Sequence, residues 1–123
     1  MVLVDTSIWI RYLYGREEFR AGVDALTSDE EACGHDLIFG ELLIGDHGGR
    51  QLFLTSYSLM RQLPTIAHDE VVLLVRHRQL HGRGISWIDA HLLASALASH
   101  VQLWTADTSL AAIASELGIA YRP

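Results

Sequence analysis

Four acidic side chains, Asp5, Glu41, Asp89 and Asp107, carry the chemistry that this sequence could perform. An oxygen-only donor set suits Mg²⁺ or Mn²⁺ rather than zinc or copper. Like-charged carboxylates in one pocket repel one another, and a divalent cation between them relieves the repulsion. A cation held this way lowers the pKa of a bound water and provides a nucleophile near neutral pH. The four acids are spread along the whole chain, so the fold has to bring them together.

Asp5 ends the run Met1-Val2-Leu3-Val4, which is too short for a helix and apolar on both faces. Such a run suits a central strand of a parallel sheet covered by helices on each side. In an open parallel α/β sheet, ligands sit beyond the carboxyl ends of the strands, which puts Asp5 at the mouth of the site. Asp107 follows a second strand, Val101–Trp104, through Thr105-Ala106, and faces the same crevice if the two strands are neighbours. Glu41 falls four residues after Leu37 and three after Ile38, a helical spacing that turns it toward the core side. A buried charge is costly unless paired or metal-bound. Asp89 shares a helical face with Leu92, Leu93 and Ala96. Each acid also has an ordinary alternative. Asp5 and Asp107 could be helix caps, and Asp89 could complement a helix dipole. Glu41 is exposed if Phe39 and Leu43 face the core instead.

The elements that position these acids alternate between short strands and helices. After Asp5, Thr6 or Ser7 caps a helix over Ile8–Leu13 that Gly15 interrupts, and a second helix spans Glu17–Leu26 with Phe19, Val23 and Leu26 inward. Asp29-Glu30-Glu31 is a solvated turn before a strand at Ala32–Gly34. Asp36 caps an apolar helix, Leu37–Ile44, closed by Gly45. Gln51–Leu63 is a helix stopped by Pro64, Thr65–Ala67 a third strand, and Asp69–Leu80 a helix. Ser86 caps Trp87–Ser99. Asp107–Leu117 is the last helix, and Ile119–Tyr121 a fifth strand. Strands joined through helices imply a parallel sheet.

The 123 residues, half of them hydrophobic, make one domain, 1–123, with no repeat or linker. No apolar run is long enough to cross a membrane, and the opening lacks the pattern of a secretion signal. A single cysteine, Cys33, excludes an internal disulfide and fits a reducing cytoplasm. The net charge of −6 argues against a generic nucleic-acid coat but not against a nuclease, because metal-chelating acids count as negative in such a tally. All nine basic residues are arginine, so no mechanism can use a lysine amine.

The segments Val4-Asp5-Thr6-Ser7, Glu41-Leu42, Trp87-Ile88-Asp89-Ala90 and Thr105-Ala106-Asp107 together resemble the PIN-domain ribonucleases, and more closely the VapC toxins of bacterial toxin–antitoxin pairs. The resemblance spans essentially the whole chain. It implies a three-layer α/β/α fold with a five-stranded parallel sheet, and a Mg²⁺- or Mn²⁺-dependent endoribonuclease leaving 5′-phosphate and 3′-hydroxyl ends. It also implies a cognate antitoxin and a homodimer. By position, Asp5, Glu41, Asp89 and Asp107 become the acidic ligands, and Ser7 and Thr105 the supporting hydroxyls. One departure is Ser109, which stands where many relatives carry a further acid; this leaves one fewer carboxylate for a second metal.

The only dense basic stretch, Arg76 to Gly84, holds Arg76, Arg78 and Arg83 as candidates to grip an RNA backbone, with His77 and His81 between them. The two histidines are four apart, as in some zinc sites, but no cysteine or glutamate stands beside them. Trp9, Trp87 and Trp104 read as core or subunit contacts rather than base-stacking platforms. A phosphotransfer receiver and a haloacid-dehalogenase phosphatase also place aspartates at strand ends, yet both need a lysine that this chain lacks. A non-catalytic binding module of the same fold is the remaining alternative.

Overall fold

A computed structural model describes residues 1–123. The elements run β1 (Val2–Val4), α1 (Thr6–Leu13), α2 (Glu17–Ser28), β2 (Ala32–Gly34), α3 (Asp36–Ile44), α4 (Gln51–Leu59), β3 (Arg61–Gln62), α5 (His68–His77), α6 (Trp87–Ser99), β4 (Gln102–Trp104) and α7 (Thr108–Glu116). The strands form one parallel sheet in the order β3-β2-β1-β4. β1 is therefore central, as its apolar residues on both faces require: Val2, Leu3 and Val4 are all buried. Val4 pairs with Trp104, so the strands carrying Asp5 and Asp107 are neighbours.

The main core gathers on β1. Ile8 and Trp9 come from α1, Ile38 and Leu42 from α3, Leu92, Leu93 and Ala96 from α6, and Leu110 and Ile113 from α7. Each fully buried leucine contributes roughly 2 kcal/mol of transfer free energy. α2 lies close on the end of the sheet: a Cβ at Gly22 would stand 2.8 Å from Cη2 of the buried Trp104 ring, so the helix needs glycine there. A smaller cluster of Val71, Ala90 and Ala94 seats α5 on α6. No helix is long and apolar enough to cross a membrane.

The sheet has four strands rather than five. Residues 119–121 do run beside β4, with Leu103 N–H donating to Ile119 C=O and Tyr121 N–H donating to Leu103 C=O, but this makes only the single bridge Leu103–Ala120. The third strand is Arg61–Gln62 and not Thr65–Ala67. α4 stops at Leu59 because Met60 turns extended; Met60 N–H still donates to Tyr57 C=O, and the Gln62 side-chain amide donates to the carbonyls of both Tyr57 and Met60. Pro64, which lacks an N–H, has its carbonyl taken by Ser95 Oγ instead of a ladder partner. The caps also lie one residue earlier than expected. Asp5 itself caps α1, and the His35 imidazole caps α3 in place of Asp36.

Candidate metal centre at the carboxyl end of the sheet

Asp5 leaves the central strand already committed to its neighbours. Its N–H donates to Trp104 C=O at 2.9 Å, extending the β1–β4 ladder by one residue. Its Oδ2 accepts from Ser7 Oγ at 2.7 Å, from Thr105 Oγ1 at 2.8 Å and, more weakly, from Ser7 N–H at 3.4 Å. Ser7 Oγ in turn accepts from Ala106 N–H, and Thr105 Oγ1 from Asp107 N–H. Both hydroxyl protons are thus spent on one carboxylate oxygen while both lone-pair sides hold the β4–α7 turn. Asp5 is buried, yet Oδ1 has no hydrogen bond and is not sealed from solvent.

The other three acids repeat this division of labour. Glu41 Oε1 accepts from Thr6 Oγ1 at 2.7 Å. Asp89 Oδ2 accepts from Ser86 N–H in a capping box, with Ser86 Oγ accepting from Asp89 N–H in return. Asp107 Oδ1 accepts from Leu110 N–H and caps α7. In each case the second oxygen is left without a protein donor. None of the four acids is ion-paired with an arginine or histidine.

Glu41 and Asp89 feel the charges of the neighbouring acids. Partial desolvation pushes the Glu41 carboxyl above its ordinary pKa; the Thr6 hydrogen bond counteracts this, and the charges of Asp5 and Asp89 add to it. Asp89 is raised mainly by desolvation and further by Asp5 and Asp107, against the lowering effect of Ser86. The charges of Asp5 and Asp89 thus reach Glu41, and those of Asp5 and Asp107 reach Asp89. No three of them close into a cage around a single point. The arrangement is an open rim of hard oxygen donors, repelling one another and lacking a protein counter-charge, which is the donor chemistry of Mg²⁺ or Mn²⁺. Glu41 departs from its expected place. It does not turn to the core with Ile38 but stands exposed at the edge, because Ile38 and Leu42 fill the buried stripe of α3 and leave Glu41 beside Thr6.

The loop leading to Asp89 is laid against α7. Gly84 has φ +83°, and a Cβ there would come within 3.1 Å of Ser109 Oγ. Beside it, Arg83 makes a bidentate pair with Glu116. The Gly84–Ser109 approach lays the loop before α6 against the first turn of α7, and Arg83 holds the same loop to the last residue of that helix.

The PIN-domain family model matches residues 2–116. The chain belongs to the PIN-domain family. Ribonuclease VapC32 of Mycobacterium tuberculosis, in strains CDC 1551 / Oshkosh and ATCC 25618 / H37Rv, is 41% identical over 121 residues, which cover 98% of this chain and 95% of that protein. The crystal structure of PAE2754 from Pyrobaculum aerophilum superposes with a TM-score of 0.58 at 24% identity, covering 90% of this chain and 82% of that one, and so supports the fold.

In this PIN domain the basic stretch divides. Arg76 and Arg78 are exposed and unpaired, whereas the guanidinium of Arg83 is held by Glu116. α5 ends at His77 and Gln79 takes a positive φ, so His77 and His81 do not share a helical face. Trp9 and Trp104 are core residues, but Trp87 is exposed. Two residues of consequence escaped the sequence reading. Sequence spacing offers Thr6 only as a cap, although it holds Glu41. His35 is wholly buried, and its one signal was its place at a strand end beside an apolar helix.

Proposed function

We propose that the chain is a metal-dependent endoribonuclease, the toxin of a VapC-type toxin–antitoxin pair, with Mg²⁺ or Mn²⁺ held by Asp5, Glu41, Asp89 and Asp107. The observation that carries this reading is the division of each carboxylate. One oxygen is pinned by a hydroxyl or a backbone N–H and the other has no protein donor, with no basic partner. A bound divalent cation supplies Lewis acidity, lowering the pKa of a coordinated water and offsetting charge on the phosphoryl oxygens.

The chain's own residues do the rest. Ser7 and Thr105 fix the rotamer of Asp5, so its free oxygen is presented without reorganisation. Thr6 does the same for Glu41. Asp89 and Asp107 are fastened to the N-termini of α6 and α7 and add their charges to the site. Arg76 and Arg78 bind the phosphate backbone of an RNA strand approaching along the segment before α6. Exposed apolar side chains on or next to α1, α3 and α4, among them Ile10, Tyr14, Ile44 and Leu52, support protein partners: a second copy of the chain and an antitoxin.

The test is RNA cleavage by the purified protein, with and without Mn²⁺. Cleavage should depend on the metal and disappear in Asp5→Asn, which can still accept the Ser7 and Thr105 hydrogen bonds. Cleavage by Asp5→Asn at the parent rate would refute the reading.

A further inference from the structure

Trp87 is the one tryptophan that the core does not take in: it is 44% exposed, against 2% for Trp9 and 5% for Trp104. Its indole is nevertheless held in place. The His91 ring meets it edge-on at 5.1 Å and 90°, and the His68 ring lies tilted against it at 5.3 Å. On another side Trp87 walls a cleft of about 130 Å³ shared with Val75, Leu80, His81, Ile85 and Ser86. That volume has room for one heterocycle, and its lining is mostly apolar.

The location joins this cleft to the chemistry. Ser86, in the cleft wall, is the residue bonded in both directions to Asp89. Immediately upstream stand the exposed, unpaired Arg76 and Arg78. A rigid, half-exposed aromatic face thus adjoins the residue that holds Asp89, with free guanidinium groups a few residues earlier in the chain. No carboxylate lines the cleft to repel a polyanion, and no guanidinium lines it to favour a phosphate.

We infer that Trp87 and its cleft form a nucleobase subsite, where one unpaired base of the RNA strand stacks beside the phosphate to be cleaved. The inference rests on the RNA-cleaving reading given above and adds how the strand is held. Aromatic stacking captures any base through its π face, and only when that base is out of a duplex. The subsite therefore selects single-stranded RNA without dictating sequence. His68 and His91 brace the ring so that little side-chain freedom is lost on binding.

The test uses Trp87→Leu and Trp87→Phe in the full chain, with a short single-stranded oligoribonucleotide and Mn²⁺. Trp87→Leu should raise KM about tenfold or more with kcat nearly unchanged, and Trp87→Phe should recover most of the loss, as stacking predicts. Removing one base from the oligoribonucleotide, leaving its sugar-phosphate intact, should raise KM for the parent but add nothing in Trp87→Leu. In the Asp5→Asn background the intact oligoribonucleotide should quench tryptophan fluorescence, and Trp87→Leu should abolish the quenching, because Trp9 and Trp104 are buried. If Trp87→Leu cleaves with the parent KM, or cleaves normally but loses a protein partner, the subsite is refuted and the RNA-cleaving reading stands. If the parent neither binds nor cleaves the oligoribonucleotide, the RNA-cleaving reading fails and the subsite fails with it.

Discussion

Two polar clusters stand at the carboxyl ends of adjacent strands, and they are finished differently. Beyond β1 lies the rim of Asp5, Glu41, Asp89 and Asp107. Beyond β2 lies His35, wholly buried. The His35 Nδ1 accepts from Leu37 N–H at 3.0 Å, which assigns the ring proton to Nε2; this donates to Ser95 Oγ at 2.9 Å, and Ser95 Oγ donates on to Pro64 C=O at 3.0 Å. The backbone N–H of His35 is taken by the Tyr57 hydroxyl. Both ring nitrogens, the Ser95 hydroxyl and the His35 N–H are all used, and burial holds the imidazole below its ordinary pKa, hence neutral. At the rim each carboxylate keeps one oxygen in reserve. A neutral polar cluster whose members bond one another is a fastener, and one with charged oxygens left without a donor is a place for a ligand.

The largest effect that separates the two is at Asp5. Asp5→Asn should abolish metal-dependent RNA cleavage while the chain keeps its circular dichroism spectrum. His35→Ala should do the reverse. It leaves Leu37 N–H and Ser95 without their partner and opens a cavity, so a loss of about 3 kcal/mol in stability is expected, read as a drop of roughly 10 °C in melting temperature. Metal dependence of the surviving activity should be unchanged; a selective loss of metal affinity would show that the two clusters are one system.

A smaller effect is expected at the hydroxyls that steady Asp5. Ser7→Ala removes a donor to Oδ2 and an acceptor for Ala106 N–H, and should weaken Mn²⁺ binding about 10- to 100-fold in a metal titration of activity. The smallest effect concerns the repulsion itself. Glu41 and Asp89 have raised pKa values, so in the folded state they take up protons more readily than in the unfolded chain. For a raised carboxyl, the metal-free protein is relatively more stable at low pH and loses that stability as pH rises through the folded pKa. Glu41→Gln should therefore raise the metal-free melting temperature slightly at neutral pH, with the gain fading on acidification. A fall would show that Glu41 is not held against its will. Metal binding has the opposite pH dependence, since it needs both groups ionised.

Much of this was legible in the sequence because it depends on local pattern. The both-sides-apolar run ending in Asp5 and the strand ending before Thr105-Ala106-Asp107 are read directly from residue types, as is the buried stripe of Leu92, Leu93 and Ala96 beneath Asp89. What misled was treating the cap and the ligand as alternatives. Asp5 and Asp107 are N-caps and Asp89 closes the capping box of Ser86, and each of these bonds occupies a single oxygen, which leaves the other for a second role. Glu41 was misplaced because periodicity identifies a face but not its edge, and its surroundings are set by where α1 lies. β3 and the 119–121 bridge are pairings made across the sheet, and the Gln62 side chain that ends α4 acts through a contact that no window of sequence displays.

The most direct test of the central claim is the melting temperature of the parent and of Asp5→Asn, each with and without millimolar Mn²⁺. A ligand that binds only the folded state stabilises it, by about 2.7 kcal/mol at a hundred times its Kd. The parent should therefore rise by several degrees and Asp5→Asn should not move. No rise in the parent, or an equal rise in both, would contradict a cation seated on the free oxygen of Asp5.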